Sequence, residues 1–279
     1  MNWFEKTLDI LSYEVSEKPT SYGWLHLLFV GLTIALTVYL CIRHKNCSDK
    51  RFRVITGIIW GVMVVFEIYK QLQFSCHTDG KTAFWSYQWY AFPYQFCSTP
   101  LYVLPFVIFM PDGKVRDAAM SFTAMFALFA GLAVMVYPDS IFIKELLISI
   151  QSLTHHGLQV VSGVFTAVWC RRKYTKKPLL YLEGLAVFLI LVAVAMTLNL
   201  TIQPALDRYA AANNVGSQTF NMFYISPYHN STLPILSSIQ PKVPYVVFFV
   251  MYLIGFGFVG LIVYYAEFGL MQLGKIFKR

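Results

Sequence analysis

The chain has 279 residues, of which 57% are hydrophobic and only 13% charged, about half the charged share of a soluble domain. Its mean hydropathy of +0.55 excludes a disordered chain, an acidic tail protein and a charge-rich nucleic-acid module, and points to a lipid bilayer. The net charge of +8 does not revive nucleic-acid binding, because Lys45, Lys50, Arg51 and Arg53, and then Arg171, Arg172, Lys173, Lys176 and Lys177, fill short gaps between apolar runs, where basic residues set topology and meet anionic headgroups.

Residues 1–21 carry Glu5, Asp9, Glu14 and Glu17 where a cleavable leader needs a basic start, so they read as a short extracytoplasmic segment. Seven stretches then reach the length of about 20 apolar residues that a spanning helix needs. They are 22–42, 54–73, 88–110, 118–136, 146–170, 179–202 and 244–267. The expected fold is therefore an all-α bundle of seven transmembrane helices over 22–270, with a long outer loop at 203–243 and a basic cytoplasmic tail at 271–279. Pro111, Pro138, Pro178, Pro204 and Pro244 fall at expected helix ends, whereas Pro93, Pro100 and Pro105 fall inside the third span and should bend or break it. Alternate connections hold fifteen and seven of the Lys and Arg residues, which puts the N-terminus outside and the C-terminus inside. Within the outer loop, the stretch from Asn221 to Tyr224 is apolar enough to re-enter the membrane face.

Polar side chains inside a span are costly and so mark function. Those here are His26, Glu67, Gln88, Gln95, Cys97, His155, His156, Gln159, Glu183 and Asn199. At 1.5 Å per residue, Cys97 lies about 14 Å below the outer end of its span and the two histidines about 15 Å below theirs, so thiol and imidazoles share a level. On the fifth span, Gln151, His155, Gln159 and Ser162 form one stripe and Ser152, His156, Gln159 and Gly163 its neighbour. Two adjacent polar stripes belong in the bundle interior.

A thiol becomes a nucleophile when an imidazole takes its proton. Cys97 with His155 or His156 is thus a candidate catalytic pair, with Gln95, Ser98 or Thr99 as donors to an oxyanion and Glu67 orienting a histidine. The five cysteines form no CxxC or zinc pattern, and adjacent histidines point about 100° apart, so no metal and no cofactor is expected. A retinal protein needs a lysine midway along the last span, and 244–267 has none. The competing function is a small-solute transporter using Glu67, the histidines and Asn199 as a substrate or proton pathway.

Three elements carry a family resemblance: Phe92-Pro93-Tyr94-Gln95-Phe96-Cys97-Ser98, Thr154-His155-His156-Gly157, and Asn221-Met222-Phe223 before the last span. With seven spans in about this length, the chain resembles the YwaF-type bacterial integral membrane proteins over roughly 20–270. Those proteins are similar to the transmembrane protein 164 family, described as phospholipid acyltransferases. The resemblance implies an intramembrane cysteine that accepts an acyl chain and a histidine on a later span, positions matched by Cys97 and His155, with His156 equally available. It also implies membrane lipids as acyl donor and acceptor, and residence in a bacterial plasma membrane. His26, Gln95, Ser98, Gln159, Asn199 and Asn221 are the expected supporting residues.

Overall fold

A computed structural model describes residues 3–78, 82–174 and 180–276. Lys176, Lys177 and residues 277–279 of the expected basic tail lie outside the described residues. Helix α1 (Trp3–Leu11) precedes α2 (Trp24–Arg43) and α3 (Asp49–Gln73). A hairpin of β1 (Cys76–Thr78) and β2 (Ala83–Trp85), antiparallel with His77 opposite Phe84, follows. Then come α4 (Pro100–Phe109), α5 (Lys114–Val136), α6 (Leu146–Tyr174), α7 (Leu180–Asn213) and α8 (Tyr245–Ile276). Ser48 starts α3 by accepting a hydrogen bond from the Arg51 amide, and Pro100 starts α4 where its missing N–H costs nothing.

Among the described residues, five helices are long and apolar enough to cross a membrane: α2, α3, α5, α7 and α8 over Tyr245–Glu267. The two remaining expected spans depart from that pattern for different reasons. Residues 88–110 are not one helix. They contain 3-10 turns at Trp89–Ala91 and Phe96–Ser98 and an α-helix only from Pro100, because Pro93 and Pro100 each withhold an amide from the ladder. Helix α6 is continuous over 29 residues, but its histidines and glutamines keep it from being an apolar span. They face inward: Gln151, His155, His156, Gln159 and Ser162 are all buried, and α6 packs against α2, α3, α5 and α8.

Helix α7 also differs from expectation. It runs to Asn213 with Pro204 inside it, so the first part of the expected outer loop is helical. Gln203 and Asp207 extend the face on which Asn199 lies.

Close helix contacts depend on small residues, as in lipid generally. A Cβ at Gly163 would lie 2.6 Å from the Leu128 Cβ, so α6 meets α5 there almost backbone to backbone. Opposite that contact, α5 carries a π turn over Thr123–Ala127.

The two ends of the bundle hold different chemistry. At one end the connections join one another: Val15 N–H donates to Lys144 O, the Ser21 hydroxyl to Asp139, and the Gln218 amide to Tyr87 O. At the other end sits a basic knot. The fully buried Arg116 donates to Val107 O and pairs with Asp49 and Asp112, and Arg53 donates to Ile108 O, Met110 O and Asp49. These two guanidiniums satisfy carbonyls left open where α4 ends.

Replacing Gly163 with alanine is expected to destabilise the bundle by about 1–3 kcal/mol, since Leu128 cannot withdraw without moving α5. Thermal unfolding in detergent micelles measures this. An unchanged midpoint would mean that the α5–α6 approach is looser than 2.6 Å implies.

Candidate functional site

The broken segment before α4 sets the position of Cys97. It lies in the Phe96–Ser98 3-10 turn, too short to satisfy its own carbonyls, which need outside partners. One partner comes from α6: His155 Nε2 lies 3.0 Å from the Cys97 carbonyl oxygen. A carbonyl only accepts, so Nε2 carries the proton and Nδ1 keeps its lone pair. His156 does the converse, with Nδ1–H donating to Ser152 O at 2.7 Å and Nε2 left as the acceptor. The two rings meet edge to face, 5.7 Å apart.

His155 Nδ1, His156 Nε2 and both polar atoms of the Gln159 amide are buried and have no hydrogen-bond partner. Leaving such atoms unpaired costs about 1–3 kcal/mol each. All four belong to one stretch of α6, His155 to Gln159, whose first residue bonds the backbone carbonyl of the half-buried Cys97. The grouping leaves two acceptors and one amide open within a single turn of α6, next to the Cys97 element. The Ser98 side chain lies beside the Cys97 thiol, and the charges of Glu67 and Lys70 reach it.

The other candidate residues divide differently. Glu67 binds Lys70 Nζ at 2.8 Å and accepts from Gln71 Nε2 at 2.7 Å. It holds neither histidine. His26, an expected supporting residue, is buried with both nitrogens occupied: it accepts from Tyr22 N–H and its Nε2–H donates to Met135 O. It clasps the start of α2 to the end of α5.

Gln95, Asn199 and Asn221 hold a backbone. The Asn221–Tyr224 stretch folds into the bundle, with Phe220, Met222, Phe223 and Ile225 fully buried. Asn199 donates to Met222 O and accepts from Met222 N–H, and Gln95 donates to Asn221 O and accepts from Phe223 N–H. Asn221 accepts from Ser226 N–H and donates to Asn230 O. Gln203 adds a fourth clamp, accepting from Phe220 N–H and donating to Gln218 O. Gln203 was not among the expected site residues, although it stands four residues after Asn199. The expected helix end at 202 had placed it in a loop.

These clamps bring residues 221–224 against 94–97: the Phe223 ring stacks on Tyr94 at 5.8 Å and meets Phe96 edge-on at 5.5 Å. The three sequence elements that carried the family resemblance, far apart in the chain, are therefore in contact. A match to the TMEM164 family spans residues 19–266. The chain belongs to that family. No curated protein and no solved structure matches it. The TMEM164-family region contains every residue of the Cys97, His155 and Asn221 elements.

Asn199→Leu is expected to leave Met222 N–H and Met222 O unpaired in the interior, at about 1–3 kcal/mol for each orphaned group. Hydrogen exchange of the 220–226 amides should rise well before global unfolding. Protection equal to wild type would show that the Asn199 clamp is dispensable.

Proposed function

We propose that the protein is an integral membrane lipid acyltransferase, or acyl hydrolase, in which Cys97 is the nucleophile and His155 its base. One observation carries the reading: a buried patch of imidazole lone pairs and an amide without partners begins at the histidine that bonds the carbonyl of Cys97, in a 3-10 turn. His155 is held by the Cys97 carbonyl in the tautomer whose Nδ1 accepts a proton. Nδ1 takes the thiol proton, the sulfur attacks an ester carbonyl, and an acyl thioester forms as the lysolipid leaves. A second lipid hydroxyl, or water, then takes the chain. His156 Nε2 and Gln159 offer an acceptor and an amide to orient the incoming hydroxyl.

Membrane lipids supply both donor and acceptor in this reading. It requires no cofactor. The transport alternative is weaker, because the Glu67 carboxylate it would use is bound by Lys70 and Gln71.

In the same reading the chain crosses the membrane seven times, counting α6 and the broken 88–110 segment, with the N-terminus outside and the host membrane a bacterial plasma membrane. Non-helical backbone at membrane depth is tolerated where protein buries it, and the grouping of alternate connections at opposite ends supports the count.

Two experiments test these points. Purified protein incubated with an alkyne-tagged activated acyl ester is expected to gain a hydroxylamine-labile label that Cys97→Ala lacks, while His155→Ala slows labelling about 10²–10⁴-fold. Label that persists in Cys97→Ala, or none in wild type, overturns the nucleophile. In intact cells, a membrane-impermeant maleimide is expected to modify Cys76 in the β-hairpin and spare Cys47, which lies at the opposite end. The reverse pattern would invert the topology.

A further inference from the structure

Two imidazoles side by side on α6 are held in opposite tautomers. His155 uses Nε2–H on the Cys97 carbonyl at 3.0 Å, which leaves Nδ1 open. His156 uses Nδ1–H on Ser152 O at 2.7 Å, which leaves Nε2 open. The two nitrogens of an imidazole point nearly opposite ways, so His156 Nε2 lies on the ring edge away from Ser152. Gln159 follows on that side, four residues after His155 and three after His156, where a helix brings its side chain against both. Its amide oxygen and nitrogen are open as well. The ring centres are 5.7 Å apart, about two hydrogen-bond lengths, so a single small group spans the gap between them. Helix α5 closes in on the same turn: a Cβ at Gly131 would lie 2.9 Å from His156 O and 3.0 Å from Gln159 Cβ.

The open groups of this turn are two imidazole acceptors, one amide acceptor and one amide donor. The reactants of the first half-reaction match them poorly. The Cys97 thiol brings one hydrogen, which His155 Nδ1 takes. A lipid ester group brings only acceptors, so it meets the Gln159 N–H and nothing else. His156 Nε2 and the Gln159 oxygen then face a substrate with no hydrogen to give. A hydroxyl reverses this, because it donates and accepts at once. It donates to His156 Nε2 and accepts from the Gln159 amide, and a lipid with a free alcohol carries such a group without adding charge to the interior.

We propose that His156 is the catalytic base of the second half-reaction, and that His156 with Gln159 forms the subsite for the free hydroxyl of an acceptor lipid. This rests on the acyl-transfer reading of Cys97 and divides its proton transfers between two imidazoles. His155 serves the thiol. His156 Nε2 takes the hydroxyl proton as the acceptor oxygen bonds to the thioester carbon and the carbonyl π pair moves to oxygen. The pair then returns, the C–S bond breaks with its electrons on sulfur, and the His156 imidazolium supplies the proton that restores the thiol. The acyl chain leaves as an ester of the acceptor lipid. A lipid alcohol is favoured over water because the turn is buried, with α5 against one side and the Cys97 element bonded to its first residue.

The test uses the full chain in detergent, charging Cys97 first and offering the acceptor second. An alkyne-tagged activated acyl ester loads the thiol, excess reagent is removed, and a lysophospholipid with one free hydroxyl is added. The variant is His156→Asn, which keeps an N–H for Ser152 O and lacks the base nitrogen. Charging is expected at the wild-type rate, which also reports a folded site, whereas transfer of the label to the lysophospholipid falls about 10²–10⁴-fold. Equal transfer in the two proteins overturns the proposal, and so does a parallel fall in charging and transfer, which would make His156 a support for His155. Label lost from wild type as fast without the lipid as with it makes water the acceptor and overturns the lipid subsite. If wild type takes no label at Cys97, the acyl-transfer reading fails and the role of His156 falls with it.

Discussion

Inside a bilayer no water is at hand to satisfy a backbone amide or carbonyl, and each one left open costs several kcal/mol. Two segments of this protein leave the helical ladder within the bundle, 88–99 and 220–226, and they create that demand in its centre. Four carboxamides answer most of it in the second segment: Gln95, Asn199, Gln203 and Asn221 each use both ends of the amide, as donor and acceptor, on neighbouring backbone. An amide side chain suits this task because it reproduces the pairing of a peptide group. The first segment is met by His155 on the Cys97 carbonyl and by the Thr99 hydroxyl on Phe96 O. The irregular backbone is thus what assembles the site, since the groups sent to satisfy it come from three distant parts of the chain.

Against that economy, the unpaired atoms of α6 stand out. His155 Nδ1, His156 Nε2 and Gln159 lie in the same interior and are left open, although a helix so enclosed could have packed apolar side chains there at lower cost. The same comparison separates site from scaffold among residues that look alike in sequence. His26 has both nitrogens bonded to backbone and is a clasp. Glu67 is neutralised by Lys70, and its field reaches Cys97 only as part of a pair.

The opposite end of the bundle shows how charge is handled when it cannot reach water. Arg116 is wholly enclosed yet carries two carboxylate partners, one carbonyl, and the face of the Trp169 ring at 5.9 Å. From sequence it belongs to a short basic gap. In the structure it joins α3, α4, α5 and α6. An arginine can do this because its planar fork serves several acceptors at once.

The bilayer setting, five of the spans, the disruption by Pro93 and Pro100, the inward stripes of α6 and the level shared by Cys97 and the histidines all follow from hydropathy, helical period and rise per residue, which are local properties of the chain. The family could also be read from short strings around Cys97, His155 and Asn221. What those strings could not show is that they touch, because contact among residues near 95, 155 and 222 is a property of packing. Nor could they show which polar atoms are spent: Gln95 and Asn199 read as site residues and prove to be clamps, and Gln203 lies beyond the expected helix end at 202, on a helix that runs to Asn213. Sequence assigns each residue a chemistry. Only the folded chain decides which of those groups already have partners and which remain open.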